Sequence, residues 1–194
     1  MRKTEEYSIT LGGENSAEKK RRIVPEKLNI FEVFETVIAA LVVVTVLFTF
    51  FLRVFDVDGP SMKPTLEHND KLVVSTVGYK AKVGDVVVIS KTGDLDKPIV
   101  KRIIAVGGDT VDINFTTGVV TVNGTEEDYT DELTSQQFDI AFPITVPEGS
   151  VFVLGDNRGN SLDSRSTRVG CVDERYIVGK VLFRFFPFGD WKVE

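Results

Sequence analysis

One uninterrupted apolar run, residues 36–52, constrains this chain more than any other feature. Its seventeen residues are all apolar except for three threonines, and Arg53 follows it directly. About 17–25 apolar residues are needed to cross a bilayer. A removable signal sequence would be followed by a small-x-small cleavage site, and none lies between the run and Arg53. The run therefore predicts one membrane-spanning helix, assigned to residues 33–54, that stays attached to the chain.

The charges on the two sides of this run are uneven. A basic cluster precedes it and two aspartates follow it, namely Lys19, Lys20, Arg21, Arg22 and Lys27 before, and Asp56 and Asp58 after. Basic residues favour the cytoplasmic side of a membrane. The sequence thus predicts a single-pass protein with a charged, disordered cytoplasmic tail over residues 1–32 and an extracytoplasmic domain over residues 55–194.

Net charge and side-chain inventory argue against several classes of protein. A net charge of −6 and a pI near 5.0 disfavour nucleic-acid binding, which needs basic residues to neutralise phosphates. Cys171 is the only cysteine, so no intrachain disulfide can form, and His68 is the only histidine. Zinc sites are built mainly from these two residue types. We therefore expect no nucleic acid, no metal and no cofactor.

The rest of the chain has the pattern of a β protein. Short β-branched runs between Gly, Asp and Pro residues predict strands at residues 71–77, 85–90, 99–106 and 150–154. Residues 111–124 predict a hairpin around a Thr-Thr-Gly turn. The acidic segment 125–145 predicts an exposed insertion, while residues 180–188 alternate too irregularly to be assigned. We predict a mostly β fold, a barrel-like all-β domain on one N-terminal transmembrane helix.

Ser61 lies in the motif Gly-Pro-Ser-Met-Lys-Pro-Thr-Leu at residues 59–66, about eight residues beyond the apolar run. An extended residue spans about 3.3–3.6 Å, so the hydroxyl is tethered within roughly 30 Å of the bilayer surface. A reactive serine there would meet substrates that lie in the membrane or emerge from it. Taken alone, Gly-Pro-Ser is also typical of an ordinary turn.

A serine hydroxyl is a weak nucleophile and needs a base within hydrogen-bond reach. Lys101 is the best candidate, because in a strand it shares one face with Ile99 and Ile103. Burial between apolar neighbours disfavours the ammonium form and lowers the pKa of a lysine. From the strand alone, a solvated lysine on a polar face stays open as the alternative.

Several motifs together resemble the conserved boxes of bacterial type I signal peptidases, the membrane-anchored Ser/Lys endopeptidases that remove signal peptides. They are the serine motif at 59–66, Gly-Asp-Val-Val at 84–87, the lysine segment at 100–109, the polar loop at 155–165 and Val-Gly-Lys-Val at 178–181. The resemblance covers residues 36–188, with 112–148 poorly constrained. It implies a catalytic domain of the signal peptidase fold in a bacterial cell membrane, with precursor proteins and membrane lipid as partners.

The resemblance also implies roles for individual residues. Ser61 is expected to be the acylating nucleophile, with its backbone N–H in the oxyanion hole, and Lys101 its general base. Ser161 is expected to hydrogen-bond Lys101 and so orient it. Some relatives add a serine hydroxyl two residues before the nucleophile, where this chain has Gly59. The resemblance implies structural support of the site by Asp156, Arg158 and the ion pair of Asp163 with Arg165.

Substrate binding follows from the same resemblance. Signal peptides present small residues before the cut in an extended conformation, which can pair with strand edges while alternate side chains enter shallow pockets. Residues 55–58 and 98–100 match the family strands that flank the substrate. The residues expected to wall the pockets are Phe55, Val57, Met62, Leu66, Ile99 and Val100. Each of them is equally compatible with a plain core position.

Two other classes of protein deserve comparison. A sortase-like transpeptidase would use a cysteine, a histidine and an arginine, and His68, Cys171 and Arg175 or Arg184 occur in a workable order. However, the sequence before Cys171 lacks the Thr-Leu-x-Thr pattern of that family. An anchored β module that only binds a partner would explain the apolar run but not the serine, lysine and loop motifs.

Overall fold

The computed structural model describes residues 29–90, 97–189 and 191–193. The tail predicted to be disordered, residues 1–32, therefore falls almost entirely outside the described residues. The chain divides into two compact units, residues 1–39 and 40–194. The described part of the first unit is the start of one helix. The second unit contains the rest of that helix and all the described strands.

Helix α1 (Ile30–Phe50) is formed by the apolar run and the residues just before it. At about 1.5 Å per residue its 21 residues reach about 31 Å, close to the roughly 30 Å hydrocarbon core of a bilayer. The hydroxyls of Thr36 and Thr45 donate to the carbonyl oxygens of Glu32 and Leu41, so these polar groups are satisfied inside the helix. By length and composition, α1 can cross a membrane.

The ends of α1 differ from the predicted segment 33–54. The helix begins earlier, because the N–H of Val33 already donates to the carbonyl of Asn29 at 3.2 Å. It ends at Phe50, because the residues from Leu52 onward pair with another strand, with Leu52 opposite Ser75. Residues 52–54, which the prediction placed in the span, thus belong to strand β1, and the limits of the membrane span itself stay a prediction.

Eleven strands are described, and all their pairings are antiparallel. Their bounds are β1 Leu52–Asp56, β2 Lys71–Ser75, β3 Val86–Ile89, β4 Ile99–Val106, β5 Thr110–Asn114, β6 Val119–Val122, β7 Thr125–Glu126, β8 Ile144–Thr145, β9 Ser150–Leu154, β10 Val172–Asp173 and β11 Ile177–Phe186. A single 3₁₀ turn, Glu174–Tyr176, lies between the last two strands among the described residues.

These strands form two sheets. The larger has the order β1-β2-β11-β3-β4-β9-β10, and the smaller has the order β7-β6-β5-β8. The larger sheet is curled into a half-barrel, and in the described part of the chain its edge strands β1 and β10 do not pair with each other. The prediction of a mostly β fold with one N-terminal apolar helix is confirmed.

Strand β11 is the main element that the sequence left unassigned. It lies in the middle of the larger sheet between β2 and β3, and its register against β2 shifts twice, between Val181 and Phe183 and again between Arg184 and Phe186. Each irregularity interrupts the period of two that identifies a strand in a sequence. Gly179 lets β11 approach β2 closely, because a side chain there would collide with the carbonyl of Ser75.

The apolar core lies directly beneath the serine motif and around β4. One cluster of buried side chains joins that motif to strands β2, β3 and β11; its members are Val57, Met62, Leu66, Leu72, Val74, Val86, Val88 and Val181. Strand β4 lies between β3 and β9 and is buried on both faces over residues 101–105. A polar side chain in the middle of β4 is consequently held inside the protein.

Candidate active site

The loop that carries Ser61 is fixed by buried anchors and by backbone hydrogen bonds. Met62 and Leu66 have no exposed surface, and the N–H of Leu66 donates to the carbonyl of Met62 at 2.8 Å. Gly59 has a φ of 95°, a backbone conformation that a side chain would strain. Its N–H donates to Nδ1 of His68 at 3.1 Å. The sole histidine therefore supports the loop before Ser61.

Lys101 reaches Ser61 from strand β4. Its Nζ donates a hydrogen bond to Ser61 Oγ at 2.6 Å, and the lysine is only 2 % exposed. This burial excludes the alternative of a solvated surface lysine. Burial is also the largest cause that lowers the pKa of Lys101 from 10.5 to about 8. The two residues that the sequence singled out for a nucleophile and a base are thus in direct contact.

Ser161 lies close to this pair but does not make the expected contact. It is 4 % exposed, and its Oγ has no hydrogen-bond partner among the described residues. The hydrogen bond expected from Lys101 to Ser161 is absent from this structure, in which the lysine donates to Ser61. A role for Ser161 in orienting Lys101 stays a prediction. Ser161 Oγ packs against Gly155, where a side chain would collide with both Ser161 and the carbonyl of Ser61.

Two buried ion pairs flank Lys101. Arg165 donates from Nε and Nη2 to the carboxylate of Asp163 at 2.8 and 2.9 Å, as expected for that pair. Arg102 donates from Nε and Nη2 to Asp156 at 2.9 and 2.7 Å. Both carboxylates raise the pKa of Lys101 and thus oppose the lowering of that pKa by burial. Each is paired with its own arginine, so little negative charge remains to hold the lysine protonated.

The remaining support residue, Arg158, pairs with a residue that the sequence did not single out. Its Nη2 donates to both carboxylate oxygens of Glu127 at 2.9 and 2.8 Å, and both side chains are buried. Arg102, the partner of Asp156, was also missed. An arginine inside the apolar strand β4 was the available signal, because a buried guanidinium requires a partner.

Asp156 and Asn157 connect the serine loop to the loop after β9. Thr65 Oγ1 donates to Asp156 Oδ2 at 2.5 Å. The backbone N–H of Asn157 donates to the carbonyl of Ser61 at 3.1 Å, and its side-chain Nδ2 donates to the carbonyl of Pro60 at 3.1 Å. The carbonyls of Pro60 and Ser61 are therefore both held by Asn157, about a hundred positions away in the chain, which no local pattern in the sequence reveals.

The residues expected to wall the substrate pockets divide into two groups. Val57, Met62 and Leu66 are core residues, and the last two expose no surface, so they cannot touch a peptide in this conformation. Their apolar character serves the packing beneath the serine loop. Phe55, Ile99 and Val100 are partly buried at the edge of the core and remain candidates.

The features of a cysteine transpeptidase are not found at this site. Cys171 packs against the core cluster that contains Phe152, and burial raises the pKa of its thiol, whereas a reactive thiol needs a lowered pKa. His68 supports the loop at Gly59 instead. In the described part of the chain, no group of three or more His, Cys, Asp and Glu side chains is arranged to hold a metal ion.

Comparison with known proteins gives consistent matches over most of the chain. The family model described as "Signal peptidase, peptidase S26" matches residues 30–186. A signal peptidase I of Bacillus licheniformis is 35 % identical over 177 residues, which are 85 % of this chain and 93 % of that protein. Signal peptidase IB of Staphylococcus aureus strain COL is 36 % identical over 182 residues, or 83 % of this chain and 93 % of that protein.

A probable signal peptidase I-1 of Synechocystis is 39 % identical over 147 residues, covering 70 % of this chain and 71 % of that protein. The crystal structure of a signal peptidase I from Enterococcus faecalis matches with a TM-score of 0.44 and 29 % identity. It covers 53 % of this chain and 97 % of that chain.

Two ion pairs allow a matched test of the buried charges. Arg165 and Arg175 each pair with an aspartate two residues earlier, but the pair of Arg165 with Asp163 is fully buried and Arg175 is exposed. Loss of one partner of a buried pair destabilises a protein by about 3–5 kcal/mol, because a buried charge is left uncompensated. We expect Arg165→Met to lower the free energy of unfolding by about that amount, measured by denaturant titration in detergent. Arg175→Met should leave the unfolding midpoint unchanged, and equal effects of the two substitutions would contradict this account.

Proposed function

The chain belongs to the signal peptidase family, peptidase S26, and we propose that it is a membrane-bound serine endopeptidase with a Ser61–Lys101 dyad. Membership of the family supports the cleavage of signal peptides from precursor proteins. The observation that carries the proposed mechanism is the contact of 2.6 Å between Nζ of the buried Lys101 and Oγ of the half-buried Ser61.

The first half of the proposed reaction acylates Ser61. With Lys101 neutral, its lone pair accepts the proton of the Ser61 hydroxyl while Oγ attacks the carbonyl carbon at the end of the signal peptide. The tetrahedral intermediate then collapses. The lysine ammonium gives its proton to the leaving amine, which becomes the new N-terminus of the mature protein, and the signal peptide stays as an ester on Ser61.

The second half releases the signal peptide. Lys101 takes a proton from a water molecule, whose oxygen attacks the ester carbonyl, and the lysine then returns the proton to Ser61 Oγ. The pKa of Lys101, lowered to about 8 by burial, supports this cycle, since a base works best with a pKa near the working pH. A solvated lysine, with a pKa of about 10.4, would be almost entirely protonated.

The oxyanion of each tetrahedral intermediate needs positioned donors. We assign one of them to the backbone N–H of Ser61, which donates to no acceptor among the described residues. The carbonyl of the same residue is fixed by Asn157, so the peptide plane after Ser61 is held in place. Gly59 has no side chain to supply a second donor.

The proposed substrate is the extended end of a signal peptide, bound along the strand edges near residues 55–58 and 98–100. Phe55 and Val100, which are partly buried against one core cluster, and Ile99 are the remaining wall residues. The small residues that signal peptides present before the cut suit pockets whose floor is already filled by core side chains.

Ser161 has a buried hydroxyl beside the nucleophile. We propose that this hydroxyl binds and orients Lys101 during the reaction, although the two side chains are not hydrogen-bonded in this structure.

The location proposed for the enzyme is a bacterial cell membrane. The family relatives and the apolar helix α1 support an attachment to the membrane. We propose that α1 crosses it once, with the basic N-terminal segment in the cytoplasm and the β domain outside, because basic residues favour the cytoplasmic side.

Replacing Ser61 tests the nucleophile. Ser61→Ala should lower the cleavage rate of a precursor whose signal ends in Ala-x-Ala by at least about 10³-fold, because the hydroxyl is a reactant. The new N-terminus of the product is identified by mass spectrometry. Ser90→Ala, which removes an exposed hydroxyl bonded to the carbonyl of Tyr176, is the control and should keep the wild-type rate. Retention of a tenth of the rate in Ser61→Ala would exclude Ser61 as the nucleophile.

The pH dependence of the rate tests the base. The value of kcat/KM should rise about tenfold per pH unit at low pH and level off above pH 8, because the neutral form of Lys101 is the active one and its pKa is about 8. Lys101→Arg should be inactive at every pH of the series, because arginine is not deprotonated. Lys82→Arg, at an exposed position, is the matched control. A profile that is flat through pH 8 would contradict the assignment.

The proposed topology predicts which epitope a protease can reach in intact spheroplasts. A tag at the C-terminus should be removed by added proteinase K without lysis, because the β domain lies outside. A tag at the N-terminus should be lost only after lysis. The reverse pattern would show that the orientation is wrong.

A further inference from the structure

Residues 127–138, which we call the strap, follow β7 and contain no helix or strand. The sequence predicts them to lie in an exposed insertion. Most of them are exposed, as expected, but the segment is also held by hydrogen bonds. The N–H of Glu127 donates to the carbonyl of Val120 at 2.9 Å, and that of Thr134 donates to the carbonyl of Gly118 at 2.9 Å. The side chains of Glu127 and Thr134 are buried. The strap is therefore docked on the smaller sheet and has an inward-facing side.

The inward-facing side of the strap holds Arg158. Nη2 of this arginine donates to both carboxylate oxygens of Glu127, at 2.9 and 2.8 Å, and Nη1 donates to Thr134 Oγ1 at 3.0 Å. The side chains of Arg158 and Glu127 are 3 % and 4 % exposed. A buried guanidinium needs such partners, because an uncompensated charge in the interior is strongly destabilising. The strap supplies the only carboxylate that pairs with Arg158 in the described part of the chain.

The same strap covers Arg102. The ring of Tyr129 lies over the guanidinium, with 5.5 Å between Arg102 Cζ and the ring centroid, a cation–π arrangement. Thr130 Oγ1 donates to the backbone carbonyl of Asp156, the partner of Arg102, at 3.3 Å. Gly84 has a φ of 89°, and a side chain there would come within 2.9 Å of the Tyr129 hydroxyl. The tyrosine thus fits a space that the protein backbone leaves free.

A third contact reaches Arg165. The ring of Phe138 lies 5.3 Å from Arg165 Cζ, and Nη1 of the arginine donates to the carbonyl of Gln136 at 3.0 Å. The other guanidinium contacts of Arg165 go to the carboxylate of Asp163 and, at 3.2 Å, to the backbone carbonyl of Ser161. One irregular segment of twelve residues therefore caps three buried arginines, one in strand β4 and two in the loop after β9.

These three arginines lie close in the chain to the proposed catalytic groups. Arg102 is the next residue after Lys101 in β4, and Arg158 and Arg165 lie on either side of Ser161 in the loop after β9. We propose that the strap is a positioning element for the catalytic base: by capping Arg102, Arg158 and Arg165 it keeps Lys101 and the loop of Ser161 in their places. The proposal rests on the proposed function only in taking Lys101 as the base.

The charges around Lys101 give the proposal a readout beyond stability. The charged groups that act on it are Asp163 and Asp156, which raise its pKa, and Arg165, which lowers it. Loosening Arg102 or Arg165 leaves more of the carboxylate charge uncompensated. Removing the aromatic ring of Tyr129 or Phe138 should therefore raise the pKa of Lys101. If the strap had a merely structural role, that pKa would be unchanged in the folded protein.

The test compares conservative substitutions in the full chain, solubilised in detergent. Tyr129→Leu removes the aromatic face over Arg102 but keeps apolar bulk, and Tyr129→Phe keeps the face. Tyr176→Leu is the matched control, because Tyr176 is similarly exposed, at 43 % against 39 % for Tyr129, and lies outside the strap. The pKa of Lys101 is measured from the pH dependence of its reaction with acetic anhydride, followed by mass spectrometry of the peptide that contains Lys101.

We expect Tyr129→Leu to raise the pKa of Lys101 by roughly 0.5–1 unit and to lower kcat about three- to tenfold with KM unchanged. Tyr129→Phe and Tyr176→Leu should match the wild type. Phe138→Leu acts through Arg165 and should shift the pKa in the same direction, which keeps the test decisive if Tyr129→Leu does not fold.

The proposal would be overturned if Tyr129→Leu and Phe138→Leu both fold and both keep the wild-type kcat and the wild-type pKa of Lys101. The labelling of Lys101 does not depend on turnover. If the wild-type protein fails to cleave precursors while the strap variants still shift the pKa of Lys101, the proposed function is wrong and the positioning of Lys101 by the strap stands.

Discussion

The arrangement of the candidate site depends on the burial of the Lys101 side chain. An ammonium group in the interior is unfavourable, so the position of Lys101 in the middle of β4 shifts its protonation toward the neutral form. The neutral amine has a lone pair, and the hydroxyl of Ser61 lies 2.6 Å away, which is why we propose that Lys101 accepts the proton of Ser61. Strand β4, flanked on both sides in the sheet, supplies the rigidity that keeps the lysine from turning toward solvent.

The carboxylates near Lys101 have to be neutralised for this arrangement to work. Asp156 and Asp163 would otherwise stabilise the ammonium, and each is bound by two guanidinium nitrogens of one arginine. Buried ion pairs contribute little net stability, because desolvation offsets their attraction. Their presence here is better explained by the site: they tie the serine loop, β4 and the loop after β9 together without leaving a net charge beside Lys101. These interior positions thus hold charged pairs in place of apolar side chains, and the pairs keep the residues of the site in position.

Much of this could be predicted from the sequence, and the exceptions have physical reasons. Strands β4 and β9 were predicted within their observed bounds, because they are regular and buried, whereas the irregular register of β11 hides its period. The proximity of Ser61 and Lys101 followed from motifs. The partners of Arg102 and Arg158 did not, because ion pairs between residues 54 and 31 positions apart depend on the tertiary fold. The strap was expected to be exposed, and most of its residues are. Its contacts with the arginines could not be predicted, since they depend on the tertiary fold and not on local periodicity.

The central claim is that Ser61, activated by Lys101, forms an ester with the end of the signal peptide. The most direct test is to mix the protein with a precursor, quench with acid within the first turnover, digest, and search by mass spectrometry for the peptide that contains Ser61. The account predicts an adduct whose added mass equals the signal peptide less one water, located on Ser61 and absent from Ser61→Ala. A product formed at the wild-type rate with the adduct on another residue, or with Ser61 unmodified at every time point, would contradict it.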